Sequence, residues 1–185
     1  MLESTGPIPT LHTERLRLRP YTMADAPHVQ RMAGSPAIAS TTLALPHPYL
    51  DGMAEAWIGT HAPGWEARER LVLAIATPAG ELRGAIHLAL ALPHRRAELG
   101  YWIGESYWGQ GFATEAARAV LAFGFEQLNL NRVQAMHLTR NPASGRVLAK
   151  IGMKPEGVSR QLYVKDGRAE DVSRLAILRD EWARS

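Results

Sequence analysis

The sequence predicts an α/β or α+β architecture, a mixed β-sheet covered by helices. Three observations carry this. Strand-like segments outnumber helical ones, and hairpin signals are interleaved with two strand–helix–strand passages. A chain of 185 residues, 46% hydrophobic and 21% charged, is long enough to bury one sizeable core. No internal repeat, low-complexity tract or linker divides it.

Residues 1–12 are polar and dotted with proline, and are expected to be flexible, with one domain over 13–185. Thr13-Glu-Arg-Leu-Arg-Leu-Arg-Pro20 alternates, with Leu16 and Leu18 on one face, and reads as a half-buried strand ended by proline. Thr22 and Asp25 resemble a capping box opening a helix, with Pro27 in its first turns. Asp51 to His61 puts Ala54, Trp57, Ile58 and His61 on one helical stripe. Strands follow over Leu71–Ala76, Gly84–Leu90 and Ala97–Ile103, separated by Pro78-Ala-Gly80 and Pro93-His-Arg-Arg96. Thr114–Leu128 is a helix facing inward through Ala117, Val120, Leu121, Gly124, Phe125 and Leu128. Arg132–Leu138 is a strand; Asn141-Pro142 caps and opens a helix that Gly152 stops. Two last strands, Val158–Val164 and Arg168–Leu178, flank Asp166-Gly167, a pair suited to a primed hairpin turn.

Composition narrows the function. The chain has no cysteine, which rules out disulfides, Cys-ligated metal centres and a covalent Cys intermediate, and fits a reducing cytoplasm, the expected location. Seven histidines show no metal-like spacing and no paired carboxylates stand out, so no metal is expected. No apolar run approaches the roughly 18 residues of a membrane helix, and the N-terminus is not signal-like, so no membrane partner is expected. The net charge of +3, from 21 Lys+Arg against 18 Asp+Glu, is scattered. It supports an anionic small molecule better than direct nucleic-acid binding.

The informative stretch is Tyr107-Trp-Gly-Gln-Gly-Phe-Ala-Thr-Glu115, which leaves a strand and enters a helix. Gly109 and Gly111 let the backbone turn tightly and point N–H groups outward, and the helix dipole adds partial positive charge. A pyrophosphate suits such a loop, although two glycines alone equally describe an ordinary turn. The third glycine of GxGxxG is absent and no Gly-Lys-Ser/Thr follows, so simple Rossmann and P-loop readings drop out.

The neighbours add specificity. Glu98-Leu-Gly-Tyr-Trp-Ile-Gly104, Trp108-Gly-Gln-Gly-Phe-Ala113 and Thr114-Glu-Ala116 resemble the acetyl-CoA-binding core of the GNAT N-acetyltransferases. The resemblance continues through Asn141-Pro-Ala-Ser144, Lys150-Ile-Gly-Met153, Glu156-Gly157 and the last hairpin, covering the chain from about residue 12 in order. The branch it most resembles is RimJ/RimL-like, whose members acetylate protein N-termini such as those of ribosomal proteins. The resemblance implies the GNAT fold: a mixed, mostly antiparallel sheet flanked by helices, with a splayed strand pair holding coenzyme A. It also implies acetyl-CoA as co-substrate and an amine acceptor, in a monomer or homodimer.

Carried over residue by residue, the backbone of Gly109, Gln110, Gly111, Phe112, Ala113 and Thr114 would hold the pyrophosphate, with Trp108 in the usual polar first position. Trp102 and Ile103 would bond the pantetheine arm and polarise the thioester carbonyl. Asn141 would cap its helix and contact the co-substrate. Many relatives place a tyrosine seven residues after that asparagine; here Leu148 stands there, and Ser144 is the substitute proton donor the branch uses. Ser144 also fits as a plain first-turn serine. Glu98 is the candidate base by resemblance, and a solvated strand-end carboxylate is the alternative. His87, His137 and water remain open as bases, and Tyr163 occupies the vicinity where some relatives carry a glutamate. Trp57 and Trp65 fit either the acceptor cleft or the core, and Pro46–Tyr49 fits a loop over the acceptor.

The expected activity is direct transfer of acetyl from acetyl-CoA to a primary amine, with a protein N-terminal α-amine as acceptor. A small-molecule amine such as an antibiotic or polyamine, and a non-catalytic acyl-CoA-binding module, are the alternatives.

Overall fold

A computed structural model of the chain describes residues 6–183, whose strands form one eight-stranded sheet. Leu11–His12 (β1) pairs antiparallel with Arg17–Arg19 (β2). The strand expected over 13–20 is therefore shorter. Thr13 N–H donates to Leu16 O and the Leu16 amide donates to the Thr13 hydroxyl, both at 2.9 Å, so residues 13–16 close a turn. Leu16 and Leu18 are both buried. Within the segment 1–12 expected to be flexible, Leu11 and His12 pair with β2 and the Trp65 indole donates to Gly6 O at 2.8 Å. Residues 1–5 of that expectation lie outside the described residues.

A 3₁₀ turn over Met23–Asp25 leads into Ala26–Ala33 (α1), with Pro27 in the first turn where its missing N–H is harmless. Asp25 accepts from the Thr22 amide and from both terminal nitrogens of Arg19, each at 2.8 Å. Pro36–Thr41 (α2) is a helix the hydrophobic pattern does not predict; Ser35 before Pro36 is its local signal. The helix expected over 51–61 divides at Thr60 into Met53–Gly59 (α3) and His61–Glu66 (α4). The Thr60 hydroxyl turns back there to donate to Trp57 O at 2.7 Å.

Arg70–Ala76 (β3), Leu82–Ala91 (β4) and Arg96–Ile103 (β5) make an antiparallel meander. Phe112–Glu126 (α5) then crosses to Arg132–Leu138 (β6), which runs parallel to β5. Pro142–Lys150 (α6) precedes the hairpin of Lys154–Lys165 (β7) and Arg168–Leu178 (β8), and Arg179–Trp182 (α7) follows. The strand order is β1-β2-β3-β4-β5-β6-β8-β7. Apart from β5 and β6 every neighbouring pair is antiparallel, so the sheet is mixed and mostly antiparallel as predicted.

Strand alternation sorts the core into two layers. Leu71, Leu73, Ile75, Ile86, Leu88, Leu99 and Val133 pack with Val120, Leu121 and Phe125 of α5 and Leu148 of α6. Val72, Ala74, Ala85 and Trp102 pack on the opposite face with Val29 of α1, Ile38 of α2 and Ile58 of α3. α1, α2, α3 and α5 thus bury apolar residues against the sheet.

Candidate active site

β5 and β6 pair only from Arg96 with Arg132 to Leu99 with Ala135. Beyond that point β5 stays bonded to β4 as far as Ile103, and β6 stays bonded to β8 as far as Leu138. Gly100–Ile103 and Met136–Leu138 therefore diverge, each held by its outer neighbour. The slot between them opens into a cavity of about 650 Å³ that reaches both faces of the sheet.

The phosphate-loop candidate closes one end. Gly109 and Gly111 have φ of 75° and 83°, a left-handed backbone that favours glycine. Gly111 is the N-cap of α5, so the first-turn N–H groups of Phe112, Ala113 and Thr114 have no partner within the helix. The loop is braced from behind: Arg15 Nη1 donates to Gln110 O at 3.0 Å and Arg15 Nε to Glu115 at 2.7 Å, while the Trp108 indole donates to Ile103 O at 2.7 Å. Burial opposes ionisation of Glu115, but hydrogen bonds from Thr13 and Arg15 outweigh it and hold the carboxyl below its ordinary range. Gly109, Gly111, Phe112 and Ala113 line the cavity. Gln110 and Thr114 do not; Thr114 instead faces an adjoining hollow with Arg15, Arg118 and Lys150, and Gly111 borders both spaces.

On the α5/α6 side of the slot, Asn141 Oδ1 accepts from the Ser144 amide at 3.3 Å and caps α6. Its Nδ2 donates to Thr41 O at 3.2 Å, tying α6 to the end of α2. The Tyr101 hydroxyl lies 2.8 Å from Ser144 Oγ. Sequence reasoning missed Tyr101. Alternation along β5 assigns it to the same face as Leu99 and Ile103, but its meeting with Ser144 depends on how α6 docks. His137 sits against Gly145 of α6, with Nδ1 2.8 Å from Leu138 O.

On the other side, Glu98 shares the face of Trp102 by alternation, and Gln134 Nε2 donates to its carboxylate at 3.1 Å. Glu98 and Ser144 thus line the cavity from opposite layers. The His87 ring lies across Gly100, where a Cβ would come within 2.3 Å of its Cε1. Burial, reinforced by the positive charge of Arg70, pushes His87 down to about 4, so the ring is neutral at pH 7 and a weak base. Trp57 lines the cavity and packs edge-on to Tyr21 and His61, with ring centroids 5.1 and 4.4 Å away. Trp65 belongs to the core on the far face. Leu43–Leu45 line the cavity, whereas Tyr49 docks through its carbonyl on Gln30 of α1. Tyr163 closes the mouth from the hairpin, its hydroxyl 3.7 Å from Met136 Sδ.

A splayed parallel pair, a helix-capping glycine loop at one end and a capped α6 beside the slot are joined by a sequence match. Residues 15–154 match the acetyltransferase (GNAT) domain family. The chain belongs to the GNAT acetyltransferase family. It is 43% identical over 100 residues to an uncharacterized N-acetyltransferase, YoaA, of Bacillus subtilis (strain 168), covering 54% of this chain and 56% of that one. It is 26% identical over 114 residues to the ribosomal protein uS5-alanine N-acetyltransferase of Escherichia coli (strain K12), covering 62% and 55%. The chain thus spans about half the length of both relatives. Among solved structures, RimL, a ribosomal alpha-N-protein acetyltransferase in complex with coenzyme A, superposes with a TM-score of 0.85 at 17% identity, over 92% of this chain and 98% of that one. This GNAT chain therefore has the fold its sequence resembles. Among the described residues no group of three or more His, Asp or Glu side chains comes together that could hold a metal ion.

Proposed function

We propose that the protein moves acetyl from acetyl-CoA to a primary amine by direct attack, and that the acceptor is the α-amine of a protein N-terminus. The slot between Gly100–Ile103 and Met136–Leu138 carries this reading. A thioester placed there has the phosphate loop behind it and an open acceptor wall in front. The first-turn N–H groups of Phe112 and Ala113 suit a pyrophosphate, and Arg118 and Lys150 in the hollow beside Gly111, which Glu14 and Glu115 also line, suit the phosphates of the nucleotide end. The edge of β5 beyond Leu99, free of β6, offers backbone groups to the pantetheine amides and the thioester carbonyl. Glu98 takes the proton from the attacking amine, directly or through water, and Ser144 supplies one to the departing sulfur.

The acceptor wall supports a peptide over a polyamine. Ile38, Leu43, Leu45, Trp57, Met136 and Tyr163 make it largely apolar, and among the described residues Glu98 is the one carboxylate in the lining. A polyamine brings further cations that need further carboxylates when drawn out of water. A peptide N-terminus brings one cation, neutralised in the reaction, and side chains that an apolar wall can take. Two of the similar proteins, named for ribosomal protein acetylation, agree with this choice.

Release of coenzyme A from acetyl-CoA, measured against hexapeptides beginning with Ala, Ser, Met and Leu, spermidine and kanamycin, tests the reading. Turnover is expected with peptides and not with spermidine. Turnover of spermidine alone overturns the acceptor, and binding of acetyl-CoA without turnover of any amine favours the non-catalytic module.

A further inference from the structure

Leu148 is fully buried in the core, so the α6 position where the wider family resemblance places a phenol contributes hydrocarbon here. A phenol nonetheless reaches the same place from the other side of the slot. Tyr101 projects from β5 towards the first turn of α6, and its hydroxyl lies 2.8 Å from Ser144 Oγ. Ser144 O is also within reach, at 3.3 Å. That carbonyl, however, is inside α6, where the Leu148 amide is its helical partner. The hydroxyl oxygen is the nearer and freer acceptor.

We infer that Tyr101 is a positioning residue for Ser144: its phenol donates to Ser144 Oγ and leaves the serine proton aimed into the cavity, where sulfur departs. This rests on the reading of Ser144 as the proton donor. A serine hydroxyl alone is a poor acid, because giving up its proton leaves an alkoxide. With Tyr101 behind it, the proton it loses is replaced in the same step. The acceptor nitrogen forms the C–N bond and the C–S electron pair goes to sulfur. Sulfur takes the Ser144 proton, Ser144 Oγ takes the Tyr101 proton, and Tyr101 regains one from solvent. The proton lost by the nitrogen, through Glu98 or water, balances that one. Burial pushes the Tyr101 phenol up to about 12, against the opposite pull of Ser144, so Tyr101 stays protonated through neutral pH and is available as a donor.

The test uses the full chain, acetyl-CoA and the fastest acceptor of the screen above, with acetyl-CoA affinity measured separately by calorimetry. Tyr101→Phe removes one oxygen and keeps the ring. It is expected to lower kcat on the order of tenfold, with KM for the acceptor and Kd for acetyl-CoA within about twofold. Ser144→Ala is expected to lower kcat roughly 10–100-fold, and adding Tyr101→Phe to it should cost nothing further. Replacing Tyr101 with 3-fluorotyrosine, a stronger acid of nearly the same shape, should keep or raise kcat even if the phenylalanine variant does not fold. Full kcat in Tyr101→Phe, an equal loss in both backgrounds, or a loss expressed only in Kd or KM overturns the inference while leaving Ser144 as donor. Full kcat in Ser144→Ala removes the donor reading itself, and the inference with it.

Discussion

Arg15 and Glu115 stand 100 residues apart in the chain and meet at 2.7 Å, and the same arginine holds the Gln110 carbonyl at 3.0 Å. The turn after β1 thereby fixes the loop before α5. Gln110 O is drawn behind the loop and the first-turn N–H groups are left facing forward. Arg15→Ala should raise the Kd for acetyl-CoA about threefold to tenfold, because the loop must then be ordered on binding. Melting should change little, since the Arg15 side chain is 47% exposed and such pairs contribute under about 1 kcal/mol. Calorimetric titration checks this; an unaltered Kd would mean the brace does not act on the loop.

The two loop glycines should differ. A Cβ at Gly109 meets nothing within 4 Å, whereas one at Gly111 lies 3.3 Å from Arg15 Nη2. Gly109→Ala carries only the left-handed backbone penalty, about 1 kcal/mol. Gly111→Val adds a β-branched side chain against the brace, and should weaken acetyl-CoA at least tenfold more than Gly109→Ala. Equal affinities in the two folded variants would sink the assignment of this loop to the pyrophosphate.

Kinetics should be sequential. The chain has no cysteine, and Ser144 Oγ is hydrogen-bonded to the Tyr101 phenol, which stays protonated and does not activate it as a nucleophile. Double-reciprocal plots should intersect. Parallel lines, or an acetylated protein found by mass spectrometry, would contradict direct transfer.

Stability should depend on two histidines. His61 is 4% exposed with neither ring nitrogen hydrogen-bonded among the described residues, and burial, with the charges of Arg70 and His87, pushes it down to about 4, as His87 is pushed. An unfolded histidine takes up its proton near 6.5. Between about pH 6.5 and 4 the unfolded chain therefore binds protons that the folded chain refuses. Stability is complete above that window and falls as pH drops through it. His61→Phe keeps a ring between Tyr21 and Trp57 and removes an unsatisfied buried N–H. It should raise Tm by a few degrees at pH 7 and roughly halve the decline from pH 6.5 to 4. Thermal melts across that range decide it; an undiminished slope would mean His61 is protonated in the fold.

Much of the candidate site is legible in single segments. The turn over 108–114, the Asn141 cap and the strand carrying Glu98, Trp102 and Ile103 are legible as elements, because a turn, a cap or a strand is specified by its own few residues, and the family resemblance joins them into a candidate site. Where local chemistry competed, pattern reading failed. The Thr13 hydroxyl turned the first half of a regular alternation into a turn, and Thr60 broke a helical stripe. Ser35-Pro36 announced α2 more faintly, because a six-residue helix shows less than two turns of periodicity.

By itself, then, the sequence determined the meander from β3 to β5, α5, β6, the last hairpin, the family, the glycine loop and the cap of α6. Their signals are periodic or contiguous and survive without knowing what packs against them. Only the tertiary structure decided that β5 and β6 part after Leu99 and Ala135, that Arg15 braces Glu115, and that Tyr101 meets Ser144. These depend on strand register and on how helices dock on the sheet. Both are set by the summed burial of residues far apart in the chain, and no local pattern encodes them.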